Sequence, residues 1–159
     1  MDDICRIDWV VNFPNLRELI VVNNGVTEIE GLERCKLIEK VWLNCNMIDT
    51  IRQVDRLPML RHLYLGTNKI RRMRNLDKCV NLEKLWLDEN RIEHIEGISN
   101  LTNLVELNLA KNNIETIGLG LDGLVSLKDL NISSNRIGNF KEVLNLNRLP
   151  NLVICTFSD

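Results

Sequence analysis

Excess basic charge, long apolar runs and an N-terminal targeting signal are all missing from this sequence of 159 residues. It has 20 Lys and Arg residues against 22 Asp and Glu residues, a formal charge of −2 at pH 7. Binding to nucleic acid or to an anionic membrane needs a basic face, so we expect neither. No run of 18 apolar residues could form a transmembrane helix, and no basic segment leads into an apolar stretch as in a secretory signal.

Catalytic and metal-binding motifs are absent as well. The sequence has no G-x-x-x-x-G-K-S/T phosphate loop, no G-x-S-x-G turn and no H-E-x-x-H helix. Its five cysteines are odd in number and form no C-x-x-C pair, which argues against a disulfide framework or a zinc ribbon and for a reducing compartment. We therefore expect a soluble cytoplasmic protein that is not an enzyme and that holds no cofactor or metal.

A repeating pattern of leucine, isoleucine and asparagine dominates the chain. Five segments start 22 residues apart, from Leu16 to Leu104, a sixth starts at Leu127, and a partial seventh starts at Leu152. The six full copies follow the pattern L-x-x-L-x-L-x-x-N-x-I, with isoleucine or valine at some of the apolar positions. One copy cannot bury its apolar face alone, whereas stacked copies form a continuous core. The pattern predicts an α/β solenoid over residues 16–159, with a parallel concave β-sheet and short helical or 3₁₀ turns on the convex side.

The two ends of the chain depart from the repeat. Residues 1–15 are apolar without the repeat spacing, which predicts an N-terminal cap over the end of the core, with Trp9 protected beneath it. No comparable apolar segment follows Phe157. On this basis we expect the chain to be either one segment of a longer protein or a small divergent protein with a self-protecting end.

Two sets of residues are expected inside the solenoid. One asparagine per repeat stands where the chain leaves the strand, where its side chain can pair with backbone groups of the adjacent turn. We interpret this column as a structural ladder: Asn24, Asn46, Asn68, Asn90, Asn112 and Asn135. Cys35, Cys79 and Cys155 occupy apolar positions and are expected in the core, whereas Cys45 is expected near the concave surface.

Large aromatic side chains recur at the strand position between two inward-facing residues. The complete position reads Ile20, Trp42, Tyr64, Trp86, Asn108, Asn131 and Thr156. We call Trp42, Tyr64 and Trp86, which fall on adjacent strands about 4.8 Å apart, the aromatic row. A contiguous exposed apolar patch marks an interaction site, and Trp and Tyr are favoured at binding hot spots. We expect a protein partner here, as a helix or an extended segment. The alternative is that the rings only stack on one another.

Charged residues border the aromatic row. Basic residues precede it on the strands and acidic residues follow it: Lys40, His62 and Lys84, then Asp88 and Glu89. A mixed border of this kind orients a partner more than it attracts one. The one basic cluster lies elsewhere, within residues 69–74, and we expect Glu93 and Glu96 of the next repeat to neutralise it.

Residues 16–157, with their repeated leucine and asparagine positions, resemble the 22-residue class of leucine-rich repeats. This class is found in the regulatory subunit of protein phosphatase-1 and in an axonemal dynein light chain. A closer likeness, carried by segments such as Leu82-Glu83-Lys84-Leu85-Trp86-Leu87, is to the N-terminal repeats of the family of leucine-rich-repeat-containing protein nine. The resemblance implies a cytoplasmic or cilium-associated binding scaffold, and it supplies no catalytic residues.

We interpret the sequence as a protein-protein interaction scaffold that binds its partner on the concave sheet, centred on the aromatic row. Two alternatives stay open. The resemblance implies that regulation of a protein phosphatase is one of them, although Asn108 and Asn131 offer no acidic or aromatic contact toward the C-terminal end. The other is a structural spacer within a longer multi-repeat protein, with no partner of its own.

Overall fold

Seven short parallel strands stack side by side in the computed structural model, which describes residues 4–158. Each strand pairs with the next one along the chain, so that their order in the sheet is their order in the sequence. The strands are β1 (Glu18–Ile20), β2 (Lys40–Trp42), β3 (His62–Tyr64), β4 (Lys84–Trp86), β5 (Glu106–Asn108), β6 (Asp129–Asn131) and β7 (Ile154–Thr156). The predicted solenoid with a parallel sheet is confirmed.

The sheet has one buried side and one outward side. In β1 to β6 the middle residue is buried, and the residues before and after it point outward, as the alternation of side chains along a strand requires. Parallel pairing keeps equivalent residues level across the sheet, so that Tyr64 lies opposite both Trp42 and Trp86. We call the outward side the sheet face.

Turns make up most of the side opposite the sheet. Regular helix is limited to 3₁₀ segments at Asp8–Asn12, Val54–Arg56 and Leu144–Arg148 and to one short α-helix, α1 (Phe140–Val143), within the described residues. Elsewhere a turn is enough to bury the second apolar pair of a repeat, as it does for Ile95 and Ile98. Within residues 4–158, no helix has the length and apolar character needed to cross a bilayer.

The asparagine ladder is confirmed from Asn46 to Asn135, whereas Asn24 accepts from the Ile4 amide and donates only to Val22 O among the described residues. Asn90 shows how the ladder works. Its side-chain amide donates to the carbonyl oxygens of Leu65, Leu87 and Asp88 at 3.0 to 3.1 Å, and its Oδ1 accepts from the backbone amide of Ile70 at 2.9 Å. Asn46, Asn68 and Asn112 repeat this arrangement and are likewise buried. The ladder therefore supplies partners to backbone groups that neither sheet nor helix satisfies.

Two features recur from repeat to repeat and are absent from the predictions. A second set of asparagines, one residue before the first leucine of a repeat, donates to carbonyl oxygens of the preceding repeat at 2.7 to 2.9 Å: Asn81 to Pro58, Asn103 to Val80 and Asn151 to Val125. In addition, the residue before each ladder asparagine has a left-handed backbone, with φ between 52° and 57°: Asn23, Cys45, Thr67, Glu89, Lys111 and Ser134. Five of these six are residue types that rarely adopt this conformation, so residue type alone does not predict it.

The two ends differ from the predictions in two respects. Ile7 and Val10 enter the core at the N-terminal end, but Trp9 lies on the outer side of the 3₁₀ segment and is 42% exposed, so its predicted protection is wrong. Cys155 pairs in register with Leu130, as predicted, yet its side chain is exposed because β7 has a neighbouring strand on one side only among the described residues. Cys35 and Cys79 are buried as predicted, and burial raises the pKa of the Cys79 thiol to about 12.

Candidate functional site

The aromatic row forms a continuous stack on the sheet face. The rings of Trp42 and Tyr64 lie nearly parallel, at 12°, with centroids 5.3 Å apart. The rings of Tyr64 and Trp86 meet edge to face, at 88°, with centroids 5.0 Å apart. Both arrangements are favourable for aromatic pairs. The stack covers β2 to β4 and presents one connected apolar surface.

Stacking makes the row less exposed than we expected. All three rings are partly buried, because each is covered on at least one side by its neighbour. The indole nitrogen of Trp86 also donates to Glu106 Oε1 at 2.7 Å, which fixes the ring against β5. Ile20, which precedes Trp42 in the same position, is 64% exposed. The row is therefore a preformed surface whose rings are already oriented.

The lysines beside the row are paired within the chain. Lys40 Nζ lies 2.8 Å from Glu18 Oε1 and 5.9 Å from the centre of the Trp42 ring. Lys84 Nζ lies 2.6 Å from Glu106 Oε2. The hydrogen bonds to these carboxylates raise the pKa values of both lysines. The ion pairs point away from the centre of the row, one toward β1 and the other toward β5.

His62 stands between these two lysines and is mostly uncharged at neutral pH. Burial lowers its pKa below the usual value of 6.5, and the effect of Glu83, whose Oε2 lies 3.8 Å from Nε2, opposes this shift. Lys40 and Lys84 lower the pKa further. The predicted basic border is consequently neutral at its centre and internally paired at its two ends.

The acidic border divides into a paired residue and an unpaired one. Glu89 forms an ion pair with Lys111 at 2.6 Å, and this hydrogen bond lowers the pKa of Glu89. Asp88 is partly buried and forms no ion pair with a described residue. Burial raises its pKa above the usual 3.8. Asp88 is thus the acidic residue of this border whose charge is free to meet a partner.

The strands beyond the row carry amides that are satisfied within the chain. Asn108 Oδ1 accepts from the backbone amide of Ala110 at 3.1 Å. Asn131 Oδ1 accepts from the backbone amide of Ser133 at 3.1 Å and from its hydroxyl at 2.7 Å. These side chains complete their own turns. Asn108 and Asn131 occupy the same strand position as the aromatic row, but the Oδ1 atom of each already accepts a hydrogen bond within the chain.

The basic cluster does not pair as expected. No described ion pair joins residues 69–74 to Glu93 or Glu96, so the predicted neutralisation is wrong. Arg71, Arg72 and Arg74 instead line a shallow surface depression of about 280 Å³ with Asp49 and Thr50. Within residues 4–158, no group of three or more His, Cys, Asp and Glu residues is arranged to hold a metal ion.

Two sequence families match the chain. One, described as "Leucine rich repeat", matches residues 80–137, and another, described as "Leucine Rich repeats (2 copies)", matches residues 14–56. Together the two matches cover more than half of the chain, and they agree with the stacked strands and the asparagine ladder. Both matches support a leucine-rich-repeat protein. Leucine-rich-repeat folds are typical protein-protein interaction scaffolds.

Solved leucine-rich-repeat structures are similar to most of this chain. An internalin, InlF, from Listeria monocytogenes is 29% identical with a TM-score of 0.76, over 91% of this chain and 42% of the internalin. A leucine-rich-repeat protein from Leptospira interrogans is 29% identical with a TM-score of 0.84, over 91% of this chain and 38% of that protein. The functional domain of InlJ from Listeria monocytogenes shares the fold. It is 19% identical with a TM-score of 0.79, over 94% of this chain and 31% of the InlJ chain. The chain spans about two fifths of the length of the first two proteins.

Proposed function

We propose that this leucine-rich-repeat chain binds a partner protein on its concave sheet face, with the aromatic row as the centre of the contact. The observation that carries the proposal is the stack of Trp42, Tyr64 and Trp86, three partly exposed rings in contact on three adjacent strands. Three strands span roughly 10 Å, which suits the apolar stripe of one helix or an extended segment. Preformed rings also lose little conformational freedom when a partner docks.

The neighbouring groups support a role in orientation. The pairs Lys40–Glu18 and Lys84–Glu106 fix charges at the two ends of the row, and Ile20 extends the apolar surface onto β1. Exposed ion pairs contribute little to stability, so the positions of these two pairs matter more for specificity than for the fold. Asn108 and Asn131 lie at the edge of the proposed contact, as do Asp88 and Glu89.

The two alternatives have less support. A phosphatase regulatory role would need aromatic and acidic contacts along the whole sheet, whereas Asn108 and Asn131 are engaged in their own turns. A spacer without a partner would have no need of an oriented aromatic surface.

The likeness to the N-terminal repeats of leucine-rich-repeat-containing protein nine further supports a cytoplasmic or cilium-associated scaffold. Fluorescence imaging of the tagged chain in ciliated cells would test this localisation.

The proposal is tested by affinity capture from cytosolic extract with two matched double variants. Trp42→Ala/Trp86→Ala removes the ends of the aromatic row, and Asn108→Ala/Asn131→Ala changes the same strand position on β5 and β6. Partners retained by the wild type and by the asparagine variant but lost by the tryptophan variant would support the proposal. Equal retention by both variants, with melting curves that show both to be folded, would contradict it.

A further inference from the structure

Three residues form a second row two positions after the aromatic row, just beyond the carboxyl ends of β2, β3 and β4: Asn44, Gly66 and Asp88. Gly66 is buried, and the other two are partly buried. The parallel register continues there, since Cys45 N donates to Gly66 O at 2.9 Å and Thr67 N donates to Asp88 O at 2.8 Å. The Asp88 carboxylate lies over Gly66. A Cβ atom on Gly66 would stand 2.8 Å from Asp88 Oδ1 and 3.0 Å from its Cγ, so only glycine leaves the carboxylate this space.

Two oxygen atoms in this second row are buried and accept no hydrogen bond from the described residues. They are Asn44 Oδ1 and Asp88 Oδ1, on the strands either side of Gly66. A buried acceptor without a donor is unfavourable. Burial raises the pKa of Asp88 and Glu89 adds to this shift, whereas the backbone amide of Asp88 and the charge of Lys111 oppose it. A cationic group that a partner places beside this carboxylate would offset the cost of burying its charge.

The charges on the sheet face favour a cationic donor. Lys40, Lys84 and Lys111 are each paired with a glutamate of the same face. Asp88 and Asp129 form no ion pair with a described residue. With His62 mostly uncharged at neutral pH, the charge left unbalanced around the aromatic row is negative.

From this geometry we propose that the sheet face binds an arginine side chain of the partner protein, seated beside the Asp88 carboxylate and donating to it. The inference rests on the proposed function and adds the chemistry of the partner segment. A guanidinium group carries five donors in a planar fork and forms charge-assisted hydrogen bonds with a carboxylate. Its plane also stacks on aromatic rings, and Trp86, the last residue of β4, stands two residues before Asp88. A lysine ammonium group is a compact charge that lacks this planar fork.

The test uses three tripeptides as probes: acetyl-Leu-Arg-Leu-amide and its analogues with citrulline or lysine in place of arginine. Citrulline keeps the shape of arginine and removes its charge. Binding is followed from the NMR shifts of the Gly66 and Asp88 backbone amides and the Trp86 indole. We expect the arginine peptide to bind in the millimolar range and about tenfold or more tightly than the citrulline peptide, the ratio that one charged hydrogen bond supplies.

Four variants locate the effect. Asp88→Asn should remove the preference for arginine over citrulline, while Asp129→Asn, which removes an equal charge from the same face, should keep it. Gly66→Ala should also weaken arginine binding, because its Cβ displaces the carboxylate without altering the charge. The matched control is Gly138→Ala, since a Cβ there meets nothing within 4 Å. Melting curves establish that each variant is folded.

The outcomes separate this inference from the proposed function. Equal shifts with arginine and citrulline peptides, arginine and lysine peptides of equal affinity, or equal losses in Asp88→Asn and Asp129→Asn would each overturn the arginine site. The absence of shifts at Gly66 and Asp88 at millimolar peptide would overturn it too. None of these results would affect the capture experiment with the tryptophan variants, which decides the proposed function.

Discussion

The sheet face has two halves that share one backbone and differ in what their side chains do. In the aromatic half, on β2 to β4, rings stack across strands and two buried oxygens in the next row accept no hydrogen bond. In the amide half, on β5 and β6, Asn108 and Asn131 accept from amides two residues further on. The amide half is satisfied within the chain, whereas the aromatic half has contacts left to make. This difference supports placing the binding function on β2 to β4.

The largest expected effect tests whether the two halves really share one framework. Asn68 lies under the aromatic half and Asn112 under the amide half, and each makes three donations and one acceptance at 2.9 to 3.3 Å. Asn68→Ala and Asn112→Ala should each lower the free energy of unfolding by about 1–3 kcal/mol, because buried carbonyl groups lose their donor. Chemical denaturation measures both. A loss in only one variant would mean that the halves are not built alike.

A second prediction concerns coupling between neighbouring strands. A double-mutant cycle of Trp42→Ala and Tyr64→Ala should give an interaction energy of about 0.5–1.5 kcal/mol, because the two rings are stacked at 5.3 Å. The same cycle with Asn108→Ala and Asn131→Ala should give a value near zero, because each amide bonds within its own turn. Equal coupling energies in both halves would remove the basis of the comparison.

The smallest expected effect is the pH dependence due to Asp88. Its pKa in the folded protein is raised above 3.8, so the native state holds this proton more tightly than the unfolded state does. Stability is therefore lost as pH rises through the window between 3.8 and the raised pKa. Asp88→Asn should raise the melting temperature at pH 7 by about 1–2 °C, and the gain should vanish near pH 3.

Calorimetry at the two pH values checks this expectation. The control is the same substitution in the Gly66→Ala background, where the displaced carboxylate is already solvated and the gain should shrink. A stabilisation by Asp88→Asn that is independent of pH would show that something other than the buried charge causes it.

Much of this arrangement could be predicted from the sequence, and the rest depends on contacts that no repeat pattern encodes. The 22-residue period and the alternation of side chains along each strand place Trp42, Tyr64 and Trp86 in one row and the ladder asparagines in another. Stacked repeats of equal length leave little freedom in which residues become neighbours. The pattern cannot show that the rings partly bury one another, or that Lys40 turns toward Glu18. These choices depend on side-chain rotamers.

The second row shows a different limit. Asn44, Gly66 and Asp88 occupy the same position in three successive repeats. A glycine between two polar residues at that position indicates a gap between their side chains. The sequence does not show that the Asp88 carboxylate lies in that gap with its Oδ1 buried and without a hydrogen-bond donor. Trp9 illustrates the same limit at the N-terminal end, where the turn of a 3₁₀ segment decides that Val10 is buried and Trp9 is exposed.

Hydroxyl-radical footprinting of the free chain and of its complex with the captured partner tests the central claim most directly. The oxidation of Trp42, Tyr64 and Trp86 should fall when the partner binds, because the aromatic row is covered. Trp9 is exposed and lies in the 3₁₀ segment Asp8–Asn12, outside the sheet, so it serves as the internal control and should be oxidised equally in both samples. A partner that protects Trp9 and leaves the aromatic row unchanged would contradict the account.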